Sequence, residues 1–364
     1  MGFHAMRLLI ATDAWAPQIN GVVRTLEHVV RGAERYGCTV EVVSPDRFAS
    51  IPMPGYPEIR LAFASARRLK RIARAFSPDV VYVATEGPIG LAARRAAMAL
   101  DLPLATSFHT RFPEYLRARA PIPLRVSYAA MRWFHRPSRA VLVSTESLRA
   151  ELERRGLKNL TLWSFGVDLS QFAPRAADAA RHPRPVFLNV GRLAVEKNLE
   201  AFLSLDLPGT KVVVGEGPAR AALEKRYPEA IFLGALTGAA LAEAYAQADV
   251  FVFPSRTDTF GLVTLEALAS GVPVAAFPVM GPRDILAGTR AGVLSDDLRE
   301  AALRCLSLDR AACLKAAAAW RWEASMEQFF AAMAATRRSA AASQPESLGK
   351  RPPQPALSTA SGAR

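Results

Sequence analysis

Asp258 and Glu266 stand eight residues apart in FPSRTDTFGLVTLEALASG (residues 253–271), one in a polar run and the other among apolar neighbours. Two acids at that spacing suit a metal site, a general acid/base pair or a clamp for a polyol, since an ionised carboxylate accepts from two O–H donors. DVFVFPS reads as a strand, RTDTFG as its exit loop and LVTLEALAS as the helix that follows, so Asp258 falls in the loop and Glu266 inside the helix. The amide N–H groups of Phe260, Gly261 and Leu262 then stand free at a helix start, where a phosphate is favoured. A nucleotide sugar presents both a phosphate and vicinal hydroxyls. An unpaired carboxylate buried in LVTLEALAS would be costly, which makes a ligand the better explanation of Glu266.

Other strand exits carry compatible groups. NVGRLAVEKN places Arg192 and Lys197 in such a loop, and two cations without a DxD-type acidic site could neutralise a diphosphate leaving group directly, with no metal. GEGP sets Gly215 and Gly217 where backbone can come close, without the GxGxxG spacing of a dinucleotide site. Upstream, DAWAPQINGVVRTLEHVV offers Asn20 as an N-cap and Gly21 where backbone must approach something, and TSFHT puts His109 at an exit beside Thr106 and Thr110. Taken singly, Gly261 is as well a packing glycine, Arg192 and Lys197 a solvated loop, and His109 a core histidine.

The elements that must position these residues are legible in the same rows. Short β-branched or apolar runs alternate with helical patterns: RLLIAT, TVEVVS, DVVYVA, LPLATS, AVLVST and LTLWS in the first half, PVFLNV, KVVVG, AIFLG, DVFVFP and PVAAFP in the second. That alternation marks α/β structure with two Rossmann-like, doubly wound parallel sheets, whose ligands bind beyond the carboxyl ends of the strands. The expected division is residues 1–173 for the first domain, 174–183 for a Pro-containing linker, 184–318 for the second domain, 319–338 for a final helix and 339–364 for a disordered Pro/Ser/Ala tail.

The chain has 364 residues, room for two domains, and 51% of them are hydrophobic. No run of apolar residues is long enough to span a membrane, and the short RLLIA is expected to be a buried first strand, not a signal peptide. Cys38, Cys305 and Cys313 have no metal-ligand spacing and suit a reducing cytoplasm. The net charge of +13 is uneven: residues 1–183 carry 26 Lys/Arg against 15 Asp/Glu, and residues 184–318 carry 14 against 15. The basic half implies an anionic partner, either nucleic acid or acidic lipid; no nucleic-acid-binding signature accompanies it, so nucleic acid is not expected.

Taken together in this order, NGVVRTLEHVV, TSFHT, GRLAVEKN, GEGP and DTFGLVTLEALASG resemble a retaining glycosyltransferase of the GT-B fold, glycosyltransferase family 4, over nearly all of residues 6–335. Within the family the chain is similar to bacterial members that make glycolipids or mannosides. The resemblance implies two domains facing a central cleft and a UDP- or GDP-linked sugar as donor. It implies no metal and no cofactor. It gives Glu266 the ribose diol, Arg192 and Lys197 the diphosphate, His109 the donor sugar and Gly21 the N-terminal glycine loop, and it sends the final helix back to the first domain. Where the family carries the first glutamate of its pair, this chain has Asp258, one methylene shorter. Retaining members are thought to react on one face of the sugar, the departing phosphate oxygen accepting the acceptor's proton.

A membrane surface enters through YLRARAPIPLRVSYAAMRWFHRPSR. Helical spacing sets Leu124, Tyr128, Met131 and Phe134 near one stripe and Arg125, Arg132 and Arg136 on another, with Arg117 and Trp133 close by. The expectation is an enzyme peripherally attached to the cytoplasmic face of the plasma membrane, transferring a hexose to a lipid such as diacylglycerol. Alternatives are a GDP-mannose-dependent mannosyltransferase with another lipid or glycan acceptor, a sugar-nucleotide epimerase of the same fold, and a non-catalytic basic lipid-binding module.

Overall fold

Near-continuous apolar strands need cover on both faces, and the chain supplies it twice. In the computed structural model, which describes residues 5–53, 56–174 and 181–343, the first half contains β1 (Met6–Ala11), β2 (Cys38–Val43), a hairpin of β3 (Ser50–Met53) and β4 (Tyr56–Ala62), then β5 (Val80–Val83), β6 (Leu104–Ser107), β7 (Ala140–Val143) and β8 (Leu160–Leu162). All but the hairpin form one parallel six-stranded sheet in the order β2-β1-β5-β6-β7-β8. The second half contains β9 (Val186–Val190), β10 (Thr210–Val214), β11 (Ile231–Phe232), β12 (Val250–Phe253), β13 (Val274–Ala276) and β14 (Gly292–Leu294), ordered β11-β10-β9-β12-β13-β14. The fold is thus two Rossmann-like parallel-sheet domains in an α/β chain.

Strand order fixes where a ligand can go. In the second sheet the order reverses between β9 and β12, so the loops leaving those two strands part and open a crevice at their carboxyl ends. Arg192 and Lys197 follow β9, and Asp258 follows β12. Leu8, Ile10, Val80 and Tyr82 bury one face of the first sheet, and Leu9, Ala11, Val81 and Val83 the other.

Aromatic rings join the halves. Trp163 and Phe165, just past β8, pack at right angles with centroids 5.2 Å apart; Phe165 meets Phe260 at 5.1 Å, and Phe260 meets Trp320 at 5.4 Å. The final helix, Trp322–Ser343, lies on the first domain, with Phe329 against Tyr82 and Trp163, Phe330 stacked on Tyr36, and Trp163 Nε1 donating to Ser325 Oγ at 3.1 Å. The helix runs past 338, because SAAAS has no breaker, so residues 339–343 are helical and not tail; the remainder of the expected tail, 344–364, lies outside the described residues. Residues 175–180 of the expected linker lie outside them too.

Candidate functional site

The loop that holds Asp258 is built by the turn from β12 into helix Leu262–Ala269. Gly261 has φ +88°, and a Cβ there would stand 3.1 Å from the Phe253 ring, so glycine lets the chain enter the helix at this point. Among the described residues, the amides of Phe260, Gly261 and Leu262 have no hydrogen-bond acceptor, and Thr264 Oγ1 is a buried oxygen without a partner. The Phe260 side chain is buried in the aromatic seam, so only its backbone is available to a ligand. Helix Gly21–Gly32 starts against the same place: Asn20 Oδ1 accepts from Val23 N at 3.0 Å, and a Cβ on Gly21 would lie 3.2 Å from Leu262 Cδ1. Two helix N-termini from different domains therefore meet, an arrangement that favours an anion between them.

Lys197 and Asp258 belong to one ion pair. Nζ donates to Oδ1 at 2.5 Å, with the side chains 27% and 12% exposed. Burial works against the charge of Lys197, but Asp258 and then Tyr115 outweigh it and hold the amine above the ordinary lysine range. Arg192 is close enough for its charge to oppose that of Lys197. Tyr115 reaches in from helix Phe112–Arg119 of the first domain, hydrogen-bonding Thr257. Gly215 and Gly217 serve this loop indirectly. Their φ values are +147° and +157°, and a Cβ on either would strike the carbonyl oxygens of Gly191 and Leu193, so the close approach they permit is to the chain's own β9 exit loop.

Glu266 is buried, and it is not unpartnered as its apolar neighbours suggested. Arg24, from helix Gly21–Gly32, pairs with Oε1, and Tyr245 Oη donates to Oε2 at 2.9 Å. Burial raises the Glu266 carboxyl above the usual carboxylate range, while Arg24 and Tyr245 pull it back. Arg24, Glu266, Leu262, Thr237 and Gly238 line a cavity of about 280 Å³ between the domains.

His109 leaves β6 on the first domain and is drawn to the same junction, its carbonyl accepting from Thr259 Oγ1 at 2.7 Å. The ring lies 5.7 Å from both Trp163 and Phe165, with Nε2 3.3 Å from Tyr82 Oη. Burial lowers its pKa to about 4, so at neutral pH the ring is uncharged. The structure thus gathers His109, Lys197, Asp258, Gly261, Leu262, Gly21 and Glu266 along one interdomain cleft. Sequence reasoning missed Arg24, Tyr115, Thr259 and Tyr245, because nothing in the order of the chain reports which distant elements come into contact.

The basic segment behaves differently from its spacing. In helix Leu124–His135, Tyr128 and Phe134 are buried and Leu124 and Met131 pack against the core, so the expected apolar stripe covers its own domain. Among the described residues of this helix and of helix Phe112–Arg119, the large apolar side chains left exposed are Phe112, Leu116, Val126 and Trp133, the last 50% exposed with the Arg94 guanidinium 4.2 Å from its ring. Arg117, Arg125 and Arg136 are exposed; Arg132 is exposed as well but donates to the Arg155 carbonyl at 3.0 Å. No helix among the described residues is long and apolar enough to cross a membrane.

Comparison with known proteins agrees with this architecture. Residues 19–171 match the family described as Glycosyltransferase Family 4, and residues 184–308 match Glycosyl transferases group 1. A GDP-mannose-dependent alpha-mannosyltransferase of Mycobacterium tuberculosis is 33% identical over 79% of this chain and 83% of that protein. An alpha-monoglucosyldiacylglycerol synthase of Streptococcus pneumoniae is 24% identical over 74% of this chain and 71% of its own length. The structure of a sucrose-phosphate synthase from Thermosynechococcus elongatus superposes with a TM-score of 0.74 at 19% identity, covering 93% of this chain and all of that one.

Proposed function

The chain belongs to glycosyltransferase family 4, and from that premise we propose that it moves a hexosyl group, with retention and without a metal, from a nucleotide diphosphate sugar to a lipid acceptor such as diacylglycerol at the cytoplasmic membrane face. The observation that carries this is the meeting of two helix N-termini with the Lys197–Asp258 pair beside the cavity that Glu266 lines. A diphosphate set against those amides has Lys197 and Arg192 for its charge, and its ribose extends to Glu266. As the glycosidic bond breaks, negative charge grows on the leaving oxygen, and a cation already fixed by Asp258 meets it with no reorganisation. His109, uncharged, offers hydrogen bonds from the acceptor side. Because the leaving phosphate oxygen takes the acceptor's proton, no side chain is assigned as nucleophile, and the contribution of the protein is positional and electrostatic.

The first domain brings the acceptor. Its exposed Arg117, Arg125 and Arg136, flanked by Phe112, Leu116, Val126 and Trp133, suit an anionic bilayer. A second reading, mannose transfer to another lipid or a glycan, has support for its donor: the 33%-identical relative is named for GDP-mannose. The test is incubation of the full chain with GDP-mannose or UDP-glucose and a panel of diacylglycerol, phosphatidylinositol and soluble sugars, read by product mass. Transfer to lipid supports the first reading, transfer from GDP-mannose to another acceptor the second, and a new nucleotide sugar formed without acceptor refutes both in favour of an epimerase.

A further inference from the structure

Glu266 occupies the interior of an apolar helix, and burial disfavours its charged form. Two groups from other elements offset this. Tyr245 Oη, from helix Gly238–Ala246, bonds Oε2 at 2.9 Å, and the Arg24 guanidinium comes across from the first domain to Oε1. Of the other titratable groups around the cavity, Glu27, His28 and Arg31 stand on the same helix as Arg24, and Asp168 on the segment after β8. An ionised carboxylate has about four acceptor positions. Arg24 and Tyr245 take one on each oxygen, which leaves one on each oxygen for a pair of vicinal hydroxyls; protonation would turn one of those into a donor.

We propose that Arg24 is a positioning residue for the donor: by pairing with Oε1 it keeps Glu266 ionised and turned so that each carboxylate oxygen has a lone pair for one ribose hydroxyl. The proposal rests on the reading that Glu266 binds the ribose. It makes donor affinity a property of both domains, with Arg24 acting through Glu266. Its signature is in pH. A carboxyl held above its ordinary range loses its charge early as pH falls, and without Arg24 the loss must begin at a higher pH still.

The experiment measures binding of GDP, or of UDP if that is the nucleotide the wild-type chain holds, by calorimetry from alkaline to mildly acidic pH. Arg24→Met should bind within about threefold of wild type at alkaline pH and then lose about tenfold more than wild type on acidification. Arg24→Lys should restore most of the wild-type profile. Glu266→Gln, alone or combined with Arg24→Met, should bind weakly with no such pH dependence. Arg24→Gln repeats the test with a hydrogen-bonding side chain should the Met variant fail to fold. If the Arg24 variants weaken nucleotide equally at every pH while Glu266→Gln is weak, the positioning role is overturned and the ribose reading stands. If Glu266→Gln binds as tightly as wild type, or neither nucleotide binds the wild-type chain, the ribose reading falls, and the positioning role with it.

Discussion

Lys197→Met separates two effects that the Lys197–Asp258 pair combines. On the proposed reading, removing the cation takes away a preorganised partner of the leaving phosphate, a loss of about 10²–10³ in kcat, or roughly 2.7–4 kcal/mol. It also abandons Asp258, whose side chain is only 12% exposed and which pairs with Lys197 at 2.5 Å. A bare carboxylate about 5 Å from a phosphate oxygen, at an effective permittivity of about 20, repels it by roughly 3 kcal/mol before salt screening. Lys197→Met should therefore lose about 10³ or more in turnover. Adding Asp258→Asn removes the repulsion, so the double variant should recover about tenfold over the single one. Initial rates of nucleoside diphosphate release, with donor saturating and folding checked by thermal melt, measure this. A double variant as slow as Lys197→Met, or slower, would refute the coupling and leave Asp258 acting on the donor sugar in its own right.

Charge reversal of Arg117, Arg125 and Arg136 should free the protein from anionic liposomes in a flotation assay while donor hydrolysis in solution persists, and added salt should weaken wild-type attachment, each basic side chain contributing on the order of 1 kcal/mol. Arg132→Glu is a poorer probe, because its guanidinium also holds the Arg155 carbonyl. Burial lowers the pKa of His28 and His109 to about 4, so unfolding takes up protons below their ordinary value of 6.5: stability is complete above that pH and falls as pH drops toward about 4. Each ring contributes about 1.4 kcal/mol per pH unit at most, less for the part of it that water reaches, and His109→Asn should flatten the melting temperature between neutral and pH 5. Gly261→Ala, placing a Cβ at φ +88° beside the Phe253 ring, should cost roughly 1–2 kcal/mol of stability and weaken nucleotide binding by moving the helix start.

Eleven of the twelve strands in the two large sheets were legible as apolar runs: the central ones are buried on both faces and have to be apolar throughout, and the edge strands β2, β8 and β11, only partly buried, still carry β-branched or apolar residues. β14 (Gly292–Leu294) escaped because it opens on a glycine and only Val293 and Leu294 follow before the polar SDD, and the β3–β4 hairpin was hidden by Pro52 and Pro57, which break the pattern of a strand in sequence but are admitted in a two-stranded sheet of its own. Lys197, Asp258 and His109 could be placed after strands from the sequence because each lies in the stretch that follows an apolar run. Arg24 was not, since it lies inside a helix three residues beyond Gly21 and gains its meaning only from Glu266 across the cleft. The stripe from Leu124 to Phe134 misled for the opposite reason: a helical period shows that one face is apolar and is silent on whether protein or lipid covers it.

Incubating the full chain with GDP-mannose, or with UDP-glucose, and anionic vesicles containing diacylglycerol, then reading both the mass and the anomeric configuration of the product, tests the proposed chemistry most directly. An α-linked hexosyl lipid formed from an α-linked donor, at a rate that EDTA leaves unchanged, is the expected result. A β-linked product, a strict requirement for Mg²⁺, or an altered nucleotide sugar with no transfer would contradict retention, the cation pair at the diphosphate, and group transfer respectively.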